Sequence, residues 1–195
     1  MGYNSQIAGL GEVEDKTEMY QRGMKYEEAR QKLLNLLGEN SEVILKNDHD
    51  GEKVRLSRSS VGKLVSNTAV GKSEQNGFTR AQHYAVVSDI NNLFKASFKL
   101  WERPDKDGEV GIFIHRFAAP LNFGEAVAYI TVKESRQHGG KRIYTAELIK
   151  IGKLGGILEE AQANAPTHFP SPSFNESNIC KLFAAVYSEK GAAKY

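Results

Sequence analysis

A small set of side chains in this chain has the types needed to break an RNA phosphodiester without a metal. In that reaction the 2′-hydroxyl attacks its own phosphate. The protein must supply a base, an acid and cationic donors for the charge that develops. His83, Arg116, Thr131, Lys133 and Tyr144 are the candidate catalytic residues, and Arg58, Lys133 and Arg142 the candidate nucleic-acid contacts. The argument for convergence is strand periodicity. If Ala126–Lys133 and Arg142–Ile151 pair symmetrically about a hairpin tip, Lys133 faces Arg142 and Thr131 faces Tyr144. Tyr129, Thr131, Lys133, Arg142 and Tyr144 then share one face, and Ala128, Ile130, Val132 and Ile143 form the other. On the preceding strand either His115 or Arg116, not both, can join the polar face, and Arg116 is assigned there.

Other reactive residues have simpler readings. His115 lies between Phe113 and Phe117 and reads as a core histidine. His138 belongs to a hairpin tip, His168 to a proline-rich linker and Cys180 to an apolar helix face. The string Asp48-His49-Asp50 sits where Asn and Asp favour a turn, so no metal is assigned to it. Val70-Gly71-Lys72-Ser73 lacks the upstream glycine frame of a phosphate-binding loop, and no nucleophile elbow, zinc helix or dinucleotide fingerprint is present. Neither a metal nor a cofactor is expected.

The elements that would position these residues follow from hydrophobic period. Ala29, Leu33, Leu34 and Leu37 recur at helical spacing before Gly38. Glu42–Lys46 and Glu52–Ser57 flank Asn47-Asp48-His49-Asp50-Gly51, which predicts a hairpin. A short helix is expected over Ser60–Ser66 and a loop over Asn67–Gly77. Thr79 and Gln82 form a capping box that opens a long helix to Ala96. Strand-like runs follow at Phe98–Glu102, Glu109–Ala118, Ala126–Lys133 and Arg142–Ile151. The fold class expected is α+β: helices packed on one curved antiparallel sheet of about four strands, a meander, with an N-terminal helix and hairpin.

The residues Leu56-Ser57-Arg58-Ser59-Ser60, His83-Tyr84, Asn92-Leu93-Phe94-Lys95-Ala96, Val110–Phe117, Ala128–Glu134 and Lys141–Leu148 resemble the large polyvalent-protein-associated domains of phages and mobile elements. That resemblance implies the barnase–EndoU–colicin–RelE type of nuclease fold. It points to a metal-independent ribonuclease or toxin-like nuclease domain. Two alternatives stand beside it: a non-catalytic module whose sheet binds RNA or a protein, and a structural phage-associated protein with a C-terminal docking helix.

Composition bounds these readings. The chain has 195 residues, 40% hydrophobic and 26% charged, with a net charge of +2. Residues 1–50 are acidic on balance and residues 51–100 basic, so the middle segment is the part suited to a polyanion. One cysteine rules out an intramolecular disulfide and a cysteine-based zinc cluster. No apolar run has the length of a membrane span and the start is not a secretory signal, so a cytoplasmic protein with no membrane partner is expected. Three segments are expected: a flexible N-terminal segment over 1–19, a single nuclease-like domain over 20–152, and a linker with an amphipathic helix over 153–195. The segment Ile179–Val186 of that helix would dock on the domain or on a protein partner.

Overall fold

Apolar residues at alternate positions build a sheet that is wider than a meander. The structure, a computed structural model, describes residues 16–105, 111–136, 142–157 and 173–192. Its strands are β1 (Glu42–Lys46), β2 (Lys53–Ser57), β3 (Phe98–Pro104), β4 (Ile112–Pro120), β5 (Ala126–Arg136), β6 (Arg142–Lys153) and the two-residue β7 (Ser173–Phe174). They lie in one sheet in the order β1-β2-β6-β5-β4-β3-β7. Neighbours from β3 to β6 pair antiparallel, whereas β2 runs parallel to β6.

The expected antiparallel sheet of about four strands is therefore wrong. The sheet is mixed, and the N-terminal hairpin is part of it. Burial explains why. Leu45, Val54 and Leu56 are 1%, 0% and 0% exposed, and an isolated two-stranded hairpin could not bury them. Joining β2 to β6 puts them under the same helices that cover the meander.

The helices are α1 (Thr17–Arg22), α2 (Tyr26–Leu37), α3 (Arg58–Leu64), α4 (Asn67–Gln75), α5 (Arg80–Ser88), α6 (Ile90–Ala96) and α7 (Glu176–Ala192). The Thr79–Gln82 capping box opens α5. The long helix expected to run on to Ala96 instead breaks at Asp89. The Asp89 carboxylate is 9% exposed and accepts hydrogen bonds from Tyr20 Oη at 2.6 Å and Asn92 Nδ2 at 2.8 Å. Burial, followed by the bond to Asp89, pushes the Tyr20 phenol far above its ordinary value. The expected loop over Asn67–Gly77 is largely helix, because Ser66 caps it through the Ala69 amide and Ala69, Val70 and Ser73 turn inward.

Helices α1 to α6 cover one face of the sheet, and their apolar side chains join Phe117, Ile130, Val132, Ala146, Ile149 and Ile151 in the main core. On the other face α7 lies over β3 and β4, where Leu182 and Val186 join Phe98, Leu100, Trp101 and Tyr129. No helix among the described residues is long and apolar enough to cross a membrane.

Two buried polar ties lock these layers. Asn47 Nδ2 donates to the carbonyls of Phe94 and Ser97 at 2.7 and 2.8 Å, joining the β1–β2 turn to the end of α6. The second tie is His83, which is 0% exposed. Its Nε2 lies 2.9 Å from the Leu64 carbonyl, which can only accept, so Nε2 carries the proton. Nδ1 accepts from Ser73 Oγ at 2.8 Å, and Ser73 Oγ accepts in turn from the Ile151 amide at 2.9 Å. One imidazole thus joins α5, α4, the end of α3 and β6.

Burial holds the His83 pKa below its ordinary value, so the fold keeps the ring neutral. Above about pH 6.5 the unfolded chain is neutral at this ring as well, and the stabilisation is fully present. Below it the unfolded chain takes up a proton that the fold resists, and stability falls with pH. Thermal melts from about pH 7.5 to about pH 5 should show a declining Tm. His83→Asn should lose about 2–4 kcal/mol at neutral pH and flatten part of that decline. A decline of unchanged slope in the variant would assign the proton uptake to another group.

Candidate functional site

Residues paired across strands share a face, so the register decides which groups meet. In the last hairpin Arg136 faces Arg142, Glu134 faces Tyr144 and Lys133 faces Thr145. The symmetric pairing of Lys133 with Arg142 and of Thr131 with Tyr144 does not occur. Strand β5 runs on to Arg136, and the offset from the expected register is an odd number of residues. An odd offset moves Arg142 and Tyr144 to the opposite face from Thr131 and Lys133. A bulge between Thr131 and Val132 then restores the parity, so that Tyr129 faces Lys150 on the far side of it.

The sequence candidates accordingly divide into three groups. His83 is enclosed among helices, with both ring nitrogens hydrogen-bonded. Arg116, Thr131 and Lys133 lie on the face opposite the main helix layer, where Arg116 Nη1 donates to Thr131 Oγ1. Tyr144 and Arg142 lie on the helix-covered face. Arg58 is exposed at the start of α3, just after β2. His138 and His168 lie outside the described residues. Cys180 is exposed on α7, not packed as expected.

At the end of the helix-covered face Tyr144 meets a network that sequence reasoning missed. His115, 2% exposed, donates from Nε2 to the Glu134 carboxylate at 2.9 Å, and its Nδ1 lies 3.4 Å from Glu102 Oε2 and 4.0 Å from Glu52 Oε1. Lys99 Nζ reaches Glu102 at 2.8 Å and Glu52 at 3.5 Å, and Arg142 Nε reaches Glu134 at 3.3 Å. The Tyr144 ring stands edge-on to His115 at 5.4 Å. Burial, reinforced by the Lys99 charge, holds the His115 pKa down, and burial raises that of Glu52. The bond from Lys99 keeps the Glu102 carboxyl below the usual carboxylate range. With His115 neutral, the carboxylates of Glu52, Glu102 and Glu134 outnumber the cations of Lys99 and Arg142. Such a cluster can move a proton between histidine and carboxylate, but it repels a phosphodiester. Among the described residues no group of histidines, cysteines and carboxylates is arranged to hold a metal ion.

The opposite face has the reverse sign. One row crosses the sheet as Ile44, Arg55, Thr145, Lys133, Ile114 and Arg103. Lys46 pairs with Lys53 beside it, and Lys150 lies beyond the bulge with its ammonium 5.3 Å from the Tyr129 ring centre. Because α7 covers β3 and β4, the portion built from β1, β2 and β6 carries no helix among the described residues. Ile44 is 55% exposed there, and Lys46 and Lys53 are also exposed. Glu42 sits 3.7 Å from Arg55, and Glu147, at the bulge of β6, pairs with Lys63 of α3. Toward α7 the basic residues become buried: Arg103 and Arg116, 8% and 9% exposed, place their guanidinium groups 5.8 and 5.5 Å from the Trp101 ring centre. Lys46, Lys53, Arg55 and Lys150 were not singled out from sequence, although the period-two alternation of cations along Lys53-Val54-Arg55-Leu56 was there to find.

A family model described as large polyvalent protein-associated domain 3 matches residues 24–144. No curated protein and no solved structure matches the chain. The match bears on the polyvalent-protein association and not on a nuclease fold. It spans more than half of the chain, from α2 through the described end of β5 to Tyr144 near the start of β6, and so takes in strands β1 to β5 and helices α2 to α6. The chain therefore belongs to the large polyvalent protein-associated domain 3 family.

Proposed function

We propose that this protein is a non-catalytic nucleic-acid-binding module that holds RNA on the part of its sheet that carries no helix among the described residues. The observation that carries this reading is the cationic row itself. Lys46, Lys53, Arg55, Lys133 and Lys150 project from one face of neighbouring strands, where Glu42 lies beside Arg55. A phosphate backbone laid across these strands would replace condensed counterions at each cation, and the release of those counterions drives binding. Tyr129 and Trp101 on the same face are buried at 3% and 2% exposure, so little aromatic surface is offered for base stacking. Contacts to phosphate position a strand without reading its bases. The expected preference is for charge density, with little dependence on sequence.

Fluorescence anisotropy with a labelled single-stranded RNA should show an affinity that falls steeply with salt. Lys46→Ala, Lys53→Ala and Lys133→Ala should each weaken binding to all sequences alike and reduce the salt slope by about one. Arg142→Ala, on the other face beside Glu134, should leave the slope unchanged. Absence of binding at low salt, or equal loss from Arg142→Ala, would sink the reading and leave the basic strip as a solvated surface or a site for an acidic protein.

Metal-independent RNA cleavage is the second reading, and it is supported by the His115–Glu134 pair with Tyr144 beside it. A histidine oriented by a carboxylate is the usual arrangement of a general base. On this reading cleavage survives a strong chelator and leaves a 2′,3′-cyclic phosphate, and His115→Ala lowers the rate by about 10²–10⁴-fold. His83→Ala would act through stability alone. RNA that is bound yet remains uncut across about pH 5–9 would favour the first reading over this one.

A further inference from the structure

The helix layer carries a feature that neither charged surface uses. Between α2, α3, α4 and α5 lies an open groove of about 520 Å³, lined by Tyr26, Gly62, Val65, Ser66, Asn67, Arg80 and Tyr84. Gly62 stands inside α3, where glycine is the least favoured residue save proline. A positive φ does not explain it, and neither does close packing: a Cβ built there would meet no atom within 4 Å. The space above Gly62 is therefore empty of the chain's own atoms, and the residue that would narrow it is missing.

The groove's polar groups are only weakly committed to one another. Tyr26 and Tyr84 meet edge-on at 5.6 Å between ring centres, and Tyr26 is 39% exposed while the Tyr84 ring is 6% exposed. Neither phenol hydroxyl hydrogen-bonds to a described residue. Arg80 is held only by long contacts, 3.4 Å to Glu74 Oε1 and 3.4 Å to Asn67 Oδ1, with about half of its side chain in solvent. A phosphate outcompetes such a screened pair, since its bonds to a guanidinium are short, charged and bidentate. The Asn67 amide offers both a donor and an acceptor, and an exposed tyrosine ring offers a plane for stacking.

We propose that this groove binds a nucleotide. The ring stacks against Tyr26, the phosphate sits on Arg80, and the backbone approach is left open by Gly62. The same chemistry serves a free mononucleotide or one residue of a single strand. No residue of the cationic sheet face takes part, so this proposal stands or falls independently of RNA binding there.

Calorimetric titration of the full chain with the common nucleoside monophosphates tests it. At least one should bind saturably, and its nucleoside should bind about tenfold more weakly, for want of the phosphate. Arg80→Gln should cost about tenfold, whereas Glu74→Gln, which removes the competing carboxylate, should tighten binding. Gly62→Leu should fill the groove and abolish binding. Gly71→Leu in α4 is the matched control, because its Cβ position is equally open but lines no part of the groove; binding there should persist. Displacement of a bound single-stranded oligonucleotide by the monophosphate would identify the strand as a source, and failure to displace would leave the free nucleotide. If no monophosphate binds the folded wild type, or if Gly62→Leu binds as the wild type does, the groove is no nucleotide site.

Discussion

The edge of β6 is the constraint around which the rest of the protein is organised. This strand pairs with β5 along its whole length, but β2 reaches it only at the Arg55–Thr145 register. Toward its C-terminal end the far edge of β6 would present unsatisfied backbone groups to a buried interface, which costs about as much as losing the hydrogen bonds outright. Helix α4 satisfies it. Ser73 Oγ accepts from the Ile151 amide at 2.9 Å, and Asn76 Nδ2 donates to the Ile151 carbonyl at 2.7 Å. Ser73 can hold that position only because its own proton is taken by His83, whose other nitrogen is tied to the end of α3. The histidine that a search for catalysts selects first is thus the group that lets a helix stand in for a missing strand. Gly152 completes the arrangement, since a Cβ there would lie 2.5 Å from the Tyr129 ring.

Closing the β6 edge in this way has an electrostatic consequence. With α1 to α6 committed to one face, ionisable residues on that face must pair among themselves or remain at its rim. They do both: His115, Glu134, Glu52 and Lys99 pair within the face, while Glu102 and Arg142 reach from the same network into solvent. On the other face, among the described residues, α7 is a single helix packed on β3 and β4. Cations on β1 and β2 stay in or near solvent there, and Arg103 and Arg116 become buried where Trp101 supplies a π-face. One sheet therefore carries an anionic, buried cluster on one side and a cationic, hydrated strip on the other.

Much of this architecture was legible in the residues. The capping box at Thr79, the hairpin turn at Asn47–Gly51 and the hydrophobic period of β3 to β6 each specify a local element by chemistry that acts over a few residues. What could not be read were the long-range choices. The parallel contact of β2 with β6 joins segments far apart in sequence, and no local signal marks it. The break at Asp89 depends on Tyr20, and the helix over Asn67–Gln75 depends on β6 needing partners. Register was the most consequential of these. Glu134 reads as a turn residue, yet His115 and Arg142 hold it in the strand, and that extension is what divides Tyr144 and Arg142 from Thr131 and Lys133.

The division bears on what kind of function such a sheet can support. Catalysis on a phosphodiester asks for a base and cations within one reach, in an environment where the developing negative charge is welcome. Here the histidine with an oriented carboxylate lies among anions on one face, and the row of cations lies on the other, separated by the thickness of the sheet. Bringing them together would require either the register of β5 against β6 to slip by an odd number of residues or a second molecule to supply the missing half. The first would expose Ile130, Val132 and Ala146 and is opposed by the whole main core. Binding, by contrast, needs only the cations, their spacing along neighbouring strands and a face that no described helix covers, and all of these are compatible with the same core that keeps His115 buried.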